Sequence, residues 1–125
     1  MKVLIVDDEV DFASALAERL ELRGYLPGTV NCGKDALAVI EAKSFPDVIL
    51  LDLKMLDMSG FEVLVKVKEK DPSIEVIMLT GHGSASSGSD SIEKGAFDFI
   101  MKPVDLAELE EKIKQAYQKR VLALK

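Results

Sequence analysis

Four short apolar runs in this chain stop abruptly at polar residues. Val3-Leu4-Ile5-Val6 ends at Asp7 and Asp8, Val48-Ile49-Leu50-Leu51 at Asp52, Val76-Ile77-Met78-Leu79 at Thr80, and Phe97 to Met101 at Lys102-Pro103. Short runs that are apolar on consecutive residues fit strands covered on both faces, as in parallel sheets. Parallel neighbours in one sheet bring their ends to one edge, and open α/β sheets place their ligand sites at that edge. Three carboxylates, a hydroxyl and an ammonium then meet in a single pocket.

Between these runs the apolar period changes. Phe12, Leu16 and Leu20 recur every four residues with Ala13 and Ala17 beside them, the pattern of a helix with one buried stripe. Gly24 closes it. Leu26 to Val30 reads as a weak strand, and Pro27, which lacks a ladder donor, sends it to a sheet edge. Ala36, Leu37 and Ile40 mark a short helix that ends before Pro46. Ser59-Gly60-Phe61-Glu62 reads as a capping box, opening a helix with the stripe Phe61, Leu64 and Val65 that stops at Asp71-Pro72. Asp105 with Glu108 resembles another cap, and Leu106, Leu109, Ile113, Ala116 and Tyr117 form the stripe of the last helix. Strand and helix alternate five times over. The expected fold is α/β: a doubly wound, five-stranded parallel sheet of order 2-1-3-4-5, flavodoxin-like, with helices on both faces and right-handed crossovers.

One segment resists this pattern. A fourth helix is expected between His82 and Glu93, yet residues 84–91 include Ser84, Ser86, Ser87, Ser89 and Ser91, with Gly88 among them. Together these disfavour helix by about 3.5 kcal/mol relative to alanine. The expectation is a short, poorly formed helix that begins late.

Composition narrows the function. The chain has 125 residues, one domain's worth, with 48% hydrophobic and 30% charged residues, so it is globular rather than disordered. A formal net charge of -6 argues against direct nucleic-acid binding and against an anionic membrane surface. With one cysteine, Cys32, no intrachain disulfide forms, which fits a reducing cytosol. The only histidine, His82, is far from Cys32 in sequence, so Cys32 is not read as a reactive thiol. No apolar stretch approaches a membrane span, and the opening apolar run is too short for a signal peptide. The expected location is cytoplasmic.

The acidic pocket has its own chemistry. Two carboxylates 4 Å apart repel by about 4 kcal/mol at an effective dielectric of 20. Three cannot all stay ionised without a cation. Lys102 offsets part of this, and a hard divalent ion offsets more. Mg2+ takes one or two carboxylates, keeps waters and reserves a position for a phosphate oxygen. Oxygen ligands without histidine or thiolate argue against zinc and copper. Such a site suits phosphoryl transfer, with Asp52 on the central strand as a nucleophile that forms an acyl phosphate. Thr80 can donate to one phosphoryl oxygen, and Lys102 can bind another as a point charge. Alone, adjacent acids make an ordinary turn or cap. What points to a site is that each residue ends a different strand.

With these residues in place, the chain resembles the receiver domain of two-component response regulators over nearly its whole length. The resemblance is carried by Leu4-Ile5-Val6-Asp7-Asp8-Glu9, by Asp52-Leu53-Lys54-Met55 with Gly60, by Thr80-Gly81-His82-Gly83, and by Gly95-Ala96-Phe97-Asp98-Phe99 with Lys102-Pro103. It implies that Asp52 accepts a phosphoryl group from the phosphohistidine of a histidine kinase. It implies that Asp7, Asp8, Asp52 and the backbone carbonyl of Lys54 hold Mg2+, and that Thr80 and Lys102 bind the phosphoryl oxygens. Phe99 would partner Thr80 in a conformational switch, and the Lys102-Pro103 bond would be cis. The implied partners are a sensor histidine kinase or phosphotransfer protein, with an output domain or downstream protein, or a homodimer, beyond it. The family often has proline after the loop methionine; here Met55 is followed by Leu56. Gly81 is small enough to admit an attacking water, with Lys54 and His82 flanking its route.

Residues 1–120 are expected to form the receiver domain and 121–125 a C-terminal tail or the start of a linker, in a regulator of one domain or a receiver cut before an output domain. It would promote only its own phosphorylation and dephosphorylation, not the turnover of an external metabolite. An aspartyl-phosphate hydrolase needs a second acid two residues after its nucleophile, and that position is Lys54. A flavin phosphate would be repelled by Asp7-Asp8-Glu9. The remaining alternative is a phosphorylation-independent interaction module on the same fold.

Overall fold

Every residue of β3 (Val48–Asp52) and β4 (Glu75–Thr80) is buried, so both strands need cover on both faces. A parallel sheet with helices on each side supplies it. In the computed structural model, which describes residues 1–81 and 90–125, these strands are joined by β1 (Lys2–Val6), β2 (Leu26–Val30) and β5 (Asp98–Met101). All pairings are parallel, in the order β2-β1-β3-β4-β5. The strand containing Pro27 lies at the edge, as its missing donor requires.

Successive side chains on a strand face opposite ways, which divides the core in two. Val3, Ile5, Leu50, Ile77, Leu79 and Ile100 pack with α1 (Val10–Leu22) and the last helix, α4 (Leu106–Ala123). Leu4, Val6, Ile49, Leu51, Val76 and Met78 pack with α2 (Gly33–Glu41) and α3 (Gly60–Lys70). The stripes of α1 and α4 follow the sequence pattern: Ala13, Leu16 and Leu20 are buried in one, Leu109, Ile113 and Ala116 in the other. The Asp105 carboxylate caps α4, accepting from the Ala107 and Glu108 N–H groups at 2.9 and 3.3 Å.

Helix α3 differs from expectation. Its buried residues are Gly60, Val63, Leu64 and Val67, whereas Val65 is 39% exposed. Both sets have helical spacing, and they share only Leu64. Gly60 decides between them. A Cβ at Gly60 would sit 2.4 Å from the Asp52 carbonyl oxygen, so the helix start presses on the end of β3. That contact rotates Val63 and Val67 inward. Ser59 caps the helix by accepting from the Phe61 N–H at 3.1 Å; the reciprocal bond from Glu62 to the Ser59 N–H is absent among the described residues.

Residues 82–89, which include most of the serine-rich stretch 84–91, lie outside the described residues. Residues 90–93 are helical, and Ser91 among them is buried. At the opposite end of the sheet from the acids, Arg120 is buried on α4. Its guanidinium reaches Asp47 at 3.1 Å, Asp71 at 3.6 Å and the Ser73 hydroxyl.

The rotation of α3 is open to a direct comparison. Leu64→Ala should lower stability to urea by about 3 kcal/mol, whereas Val65→Ala should change it by less than about 0.5 kcal/mol. Comparable losses at the two positions would contradict the observed packing.

Candidate functional site

Register brings the acids together. Val6 of β1 lies beside Leu51 of β3, so Asp7 and Asp52 end neighbouring strands at the same height. Asp7 is fully buried, Asp52 nearly so, and Asp8 is half-buried. Each of the three offers a carboxylate oxygen within 4.8 Å of the others. This is a donor set of hard oxygens, which can hold a hard cation and suits neither zinc nor copper.

Lys102 arrives from the far side. It follows β5, and its backbone N–H donates to the Thr80 carbonyl at 2.7 Å. The Lys102-Pro103 bond is cis. From there the side chain crosses over β4 and β3. Its Nζ donates to Asp7 Oδ2 at 2.8 Å and Glu9 Oε1 at 3.1 Å, and lies 3.8 Å from Asp52 Oδ1. The ammonium also sits 4.5 Å from the centre of the Phe12 ring. The other Asp7 oxygen accepts from the Glu9 N–H at 2.9 Å, and the Asp7 carbonyl accepts from the Asn31 side chain at 3.1 Å. Glu9 and Asn31 were not among the expected contributors. An acid two residues after Asp7 was the available signal for Glu9; nothing local marks Asn31, whose contact depends on β2 pairing with β1.

The charges do not balance, and the proton affinities record it. Burial, then the Asp7 carboxylate, raise the Asp52 pKa to about 6; Lys102 opposes this, Asp8 adds to it, and the Lys54 backbone N–H draws it down. Burial acts to lower the Lys102 pKa, but its hydrogen bonds to Asp7 and Glu9 and the charge of Asp52 more than reverse this, and it ends above the ordinary lysine value. The lysine therefore stays charged, while Asp52 carries the unrelieved repulsion. A divalent cation bound by these acids would remove it.

Thr80 ends β4 one residue beyond Leu79, the register partner of Asp52. It is fully buried, and its hydroxyl has no hydrogen-bond partner among the described residues. An unpaired buried polar group costs about 1–3 kcal/mol, so a free donor is held at the same edge as the acids. Phe99 pairs in register with Met78, which shares a sheet face with Thr80, and Phe99 is half-buried on that face. Lys54 lies exposed in the loop after β3. His82 lies outside the described residues.

Comparison with known proteins places this geometry. The profile of the response regulator receiver domain matches residues 3–114. The transcriptional regulatory protein ZraR of Klebsiella oxytoca is 32% identical over 91% of this chain and 26% of its own length. The probable transcriptional regulator ycf27 of Guillardia theta is 37% identical over 90% of this chain and 44% of its own length. The chain thus spans a quarter to under half of these curated relatives. The crystal structure of a CheY-like response regulator receiver domain protein from Methanospirillum hungatei superimposes with a TM-score of 0.90 at 34% identity, covering 98% of this chain and 97% of that one.

A pH dependence follows from Asp52. Folding raises its pKa and so favours the neutral acid. The stability this contributes is fully present below the ordinary value of 3.8 and is lost as pH rises through about 6. In metal-free protein, Asp52→Asn should therefore be more stable than wild type by about 2 kcal/mol at neutral pH. The advantage should close as pH falls toward 4. Urea unfolding with a chelator, repeated across this range, measures it; an advantage that does not change with pH would contradict the assigned repulsion.

Proposed function

The chain belongs to the response regulator receiver domain family, and on that premise we propose that Asp52 accepts a phosphoryl group from the phosphohistidine of a sensor histidine kinase or phosphotransfer protein. The observation that carries this reading is the meeting of Asp7, Asp8 and Asp52 within 4.8 Å, with the Lys102 ammonium 3.8 Å from Asp52. An Asp52 carboxylate oxygen attacks phosphorus, the phosphorus–nitrogen bond breaks, and the electron pair leaves on the imidazole. Asp52 acts as the anion, so its proton leaves beforehand.

The residues divide the work. Asp7, Asp8, Asp52 and the Lys54 backbone carbonyl would hold Mg2+, which when bound supplies charge neutralisation for the acids and the phosphoryl oxygens. Lys102 is already charged and within reach of Asp52, so it is placed to bind one phosphoryl oxygen once its bonds to Asp7 and Glu9 loosen. The Thr80 hydroxyl, which has no partner among the described residues, can donate to another. Phosphorylation adds about -1.5 to -2 charges at Asp52. Thr80 then moves toward the new oxygens, and Phe99, on the same sheet face, fills the space it leaves. The signal is a shift between two packings of one fold.

The domain is a switch rather than an enzyme acting on an external metabolite, and the chemistry it promotes is its own phosphorylation and dephosphorylation. Residues 1–120 form the receiver unit, and 121–125, of which 121–123 still belong to α4, lead out of it as a tail or the start of a linker. Its output passes to an attached domain or a downstream protein, with a homodimer as one form of readout, in the cytoplasm. The acidic balance fits a receiver that does not itself contact nucleic acid. No helix among the described residues is long and apolar enough to cross a membrane.

Two measurements test the reading. Asp52→Asn should abolish labelling by a small acyl phosphate donor; labelling of the variant at the same site would defeat the assignment. Mg2+ at ten times its dissociation constant should stabilise the wild-type fold by about 1.4 kcal/mol, a rise in melting temperature of about 3–6 °C. An unchanged melting temperature at millimolar Mg2+ would count against the ligand set.

A further inference from the structure

The loop from β3 to α3 carries Lys54, and it lacks the proline that often stiffens this loop in the family. Leu56 stands there instead, 99% exposed, so its side chain anchors nothing. The loop is nevertheless tied down. At its ends, the Gly60 N–H donates to the Leu53 carbonyl at 2.8 Å. In its middle it is bound to a different element. Asp57 Oδ1 accepts from the Gly33 N–H at 3.0 Å, and Asp57 Oδ2 accepts from the Lys34 N–H at 2.9 Å. These are the first two residues of α2, whose own N-cap residue, Cys32, makes no side-chain capping bond. The cap of α2 is therefore supplied by the loop after the acceptor strand. Next to it, Met58 lies so close to Gly33 that a Cβ there would come within 2.3 Å of Met58 Cγ. Only glycine at 33 permits that approach.

We propose that Asp57 is a positioning residue for the metal end of the site: its carboxylate straps the β3–α3 loop to the start of α2 and so holds the Lys54 carbonyl where the divalent ion requires it. This rests on the reading of Asp7, Asp8, Asp52 and the Lys54 carbonyl as the ligand set. A carboxylate across two N–H groups at a helix N-terminus makes charge-assisted bonds reinforced by the helix dipole. The Lys34 and Gly33 amides hold the Asp57 carboxyl below the usual carboxylate range, so the strap is charged throughout neutral pH. Loss of a group that orients a metal ligand typically costs about 10–100-fold in metal affinity. Coupling is also reciprocal: if the strap favours the ion, the ion favours the strap.

Calorimetric titration with Mg2+ and amide exchange at Gly33 and Lys34 test this on the whole chain. Asp57 is exposed, so its replacement leaves the core intact. Asp57→Ala should weaken Mg2+ binding about tenfold and speed exchange at both amides. Asp57→Asn, which keeps one acceptor oxygen, should fall between it and wild type. In wild type, Mg2+ should slow exchange at these amides. The double variant Cys32→Ser with Asp57→Ala gives α2 a cap of its own; it should regain melting temperature but not Mg2+ affinity. Wild-type affinity in Asp57→Ala, or affinity restored by the Cys32→Ser cap, would overturn the proposal, the latter reducing Asp57 to a helix cap. Asp52→Asn tests the underlying ligand set separately: if wild type shows no Mg2+ binding, or if Asp52→Asn binds as tightly as wild type, the ligand assignment falls and the proposal falls with it.

Discussion

Three acids and one lysine at the end of a sheet make an arrangement that cannot be neutral on its own terms. Lys102 is drawn across two strands by Asp7 and Glu9, and it reaches Asp52 only at 3.8 Å. Asp52 therefore remains under repulsion and holds its proton up to about pH 6. Stability and the proposed function pull in opposite directions here. The charge that Lys102 only partly offsets at Asp52 weakens the metal-free fold, and the same charge would be relieved by a divalent cation and would serve the nucleophile proposed above. The Thr80 hydroxyl, without a partner among the described residues, belongs to the same pattern: a buried donor left unsatisfied is what the proposed anion would meet.

The rest of the fold serves to hold that arrangement still. β3 and β4 are buried at every residue, so their ends have no freedom to drift from the edge where Asp52 and Thr80 sit. Gly60 brings the start of α3 against the backbone of Asp52, which sets both the rotation of the helix and the entry to the loop. Asp57 then fixes the middle of that loop to α2. At the far end of the sheet, Arg120 binds the segments that precede β3 and β4. β3 is thus restrained at both ends by polar contacts and along its length by apolar ones.

Much of this was legible along the chain. Consecutive apolar residues announced buried strands, Pro27 announced the edge, and the residues ending each run are the ones that meet at one end of the sheet. The differences between sequence pattern and structure have one cause. Helical spacing alone permits two faces of α3 that share Leu64, one of them carrying Val65; the choice between them is made by the contact of Gly60 with β3, which joins residues on different elements. Asn31, Asp57 and Arg120 are illegible as contributors for the same reason. Each acts through a partner far away in the chain, and a polar side chain in a sequence carries no sign of whom it will meet.

Element type, strand burial and the identity of the polar groups that end the strands were thus decided by local periodicity, because burial on one or two faces writes a period into the residues themselves. The positions of those groups relative to one another were decided only on folding. Whether Lys102 is spent on Asp7 or on Asp52, which face of α3 turns inward, and what holds the loop after Asp52 all depend on distances between elements, and no period in a single segment encodes those.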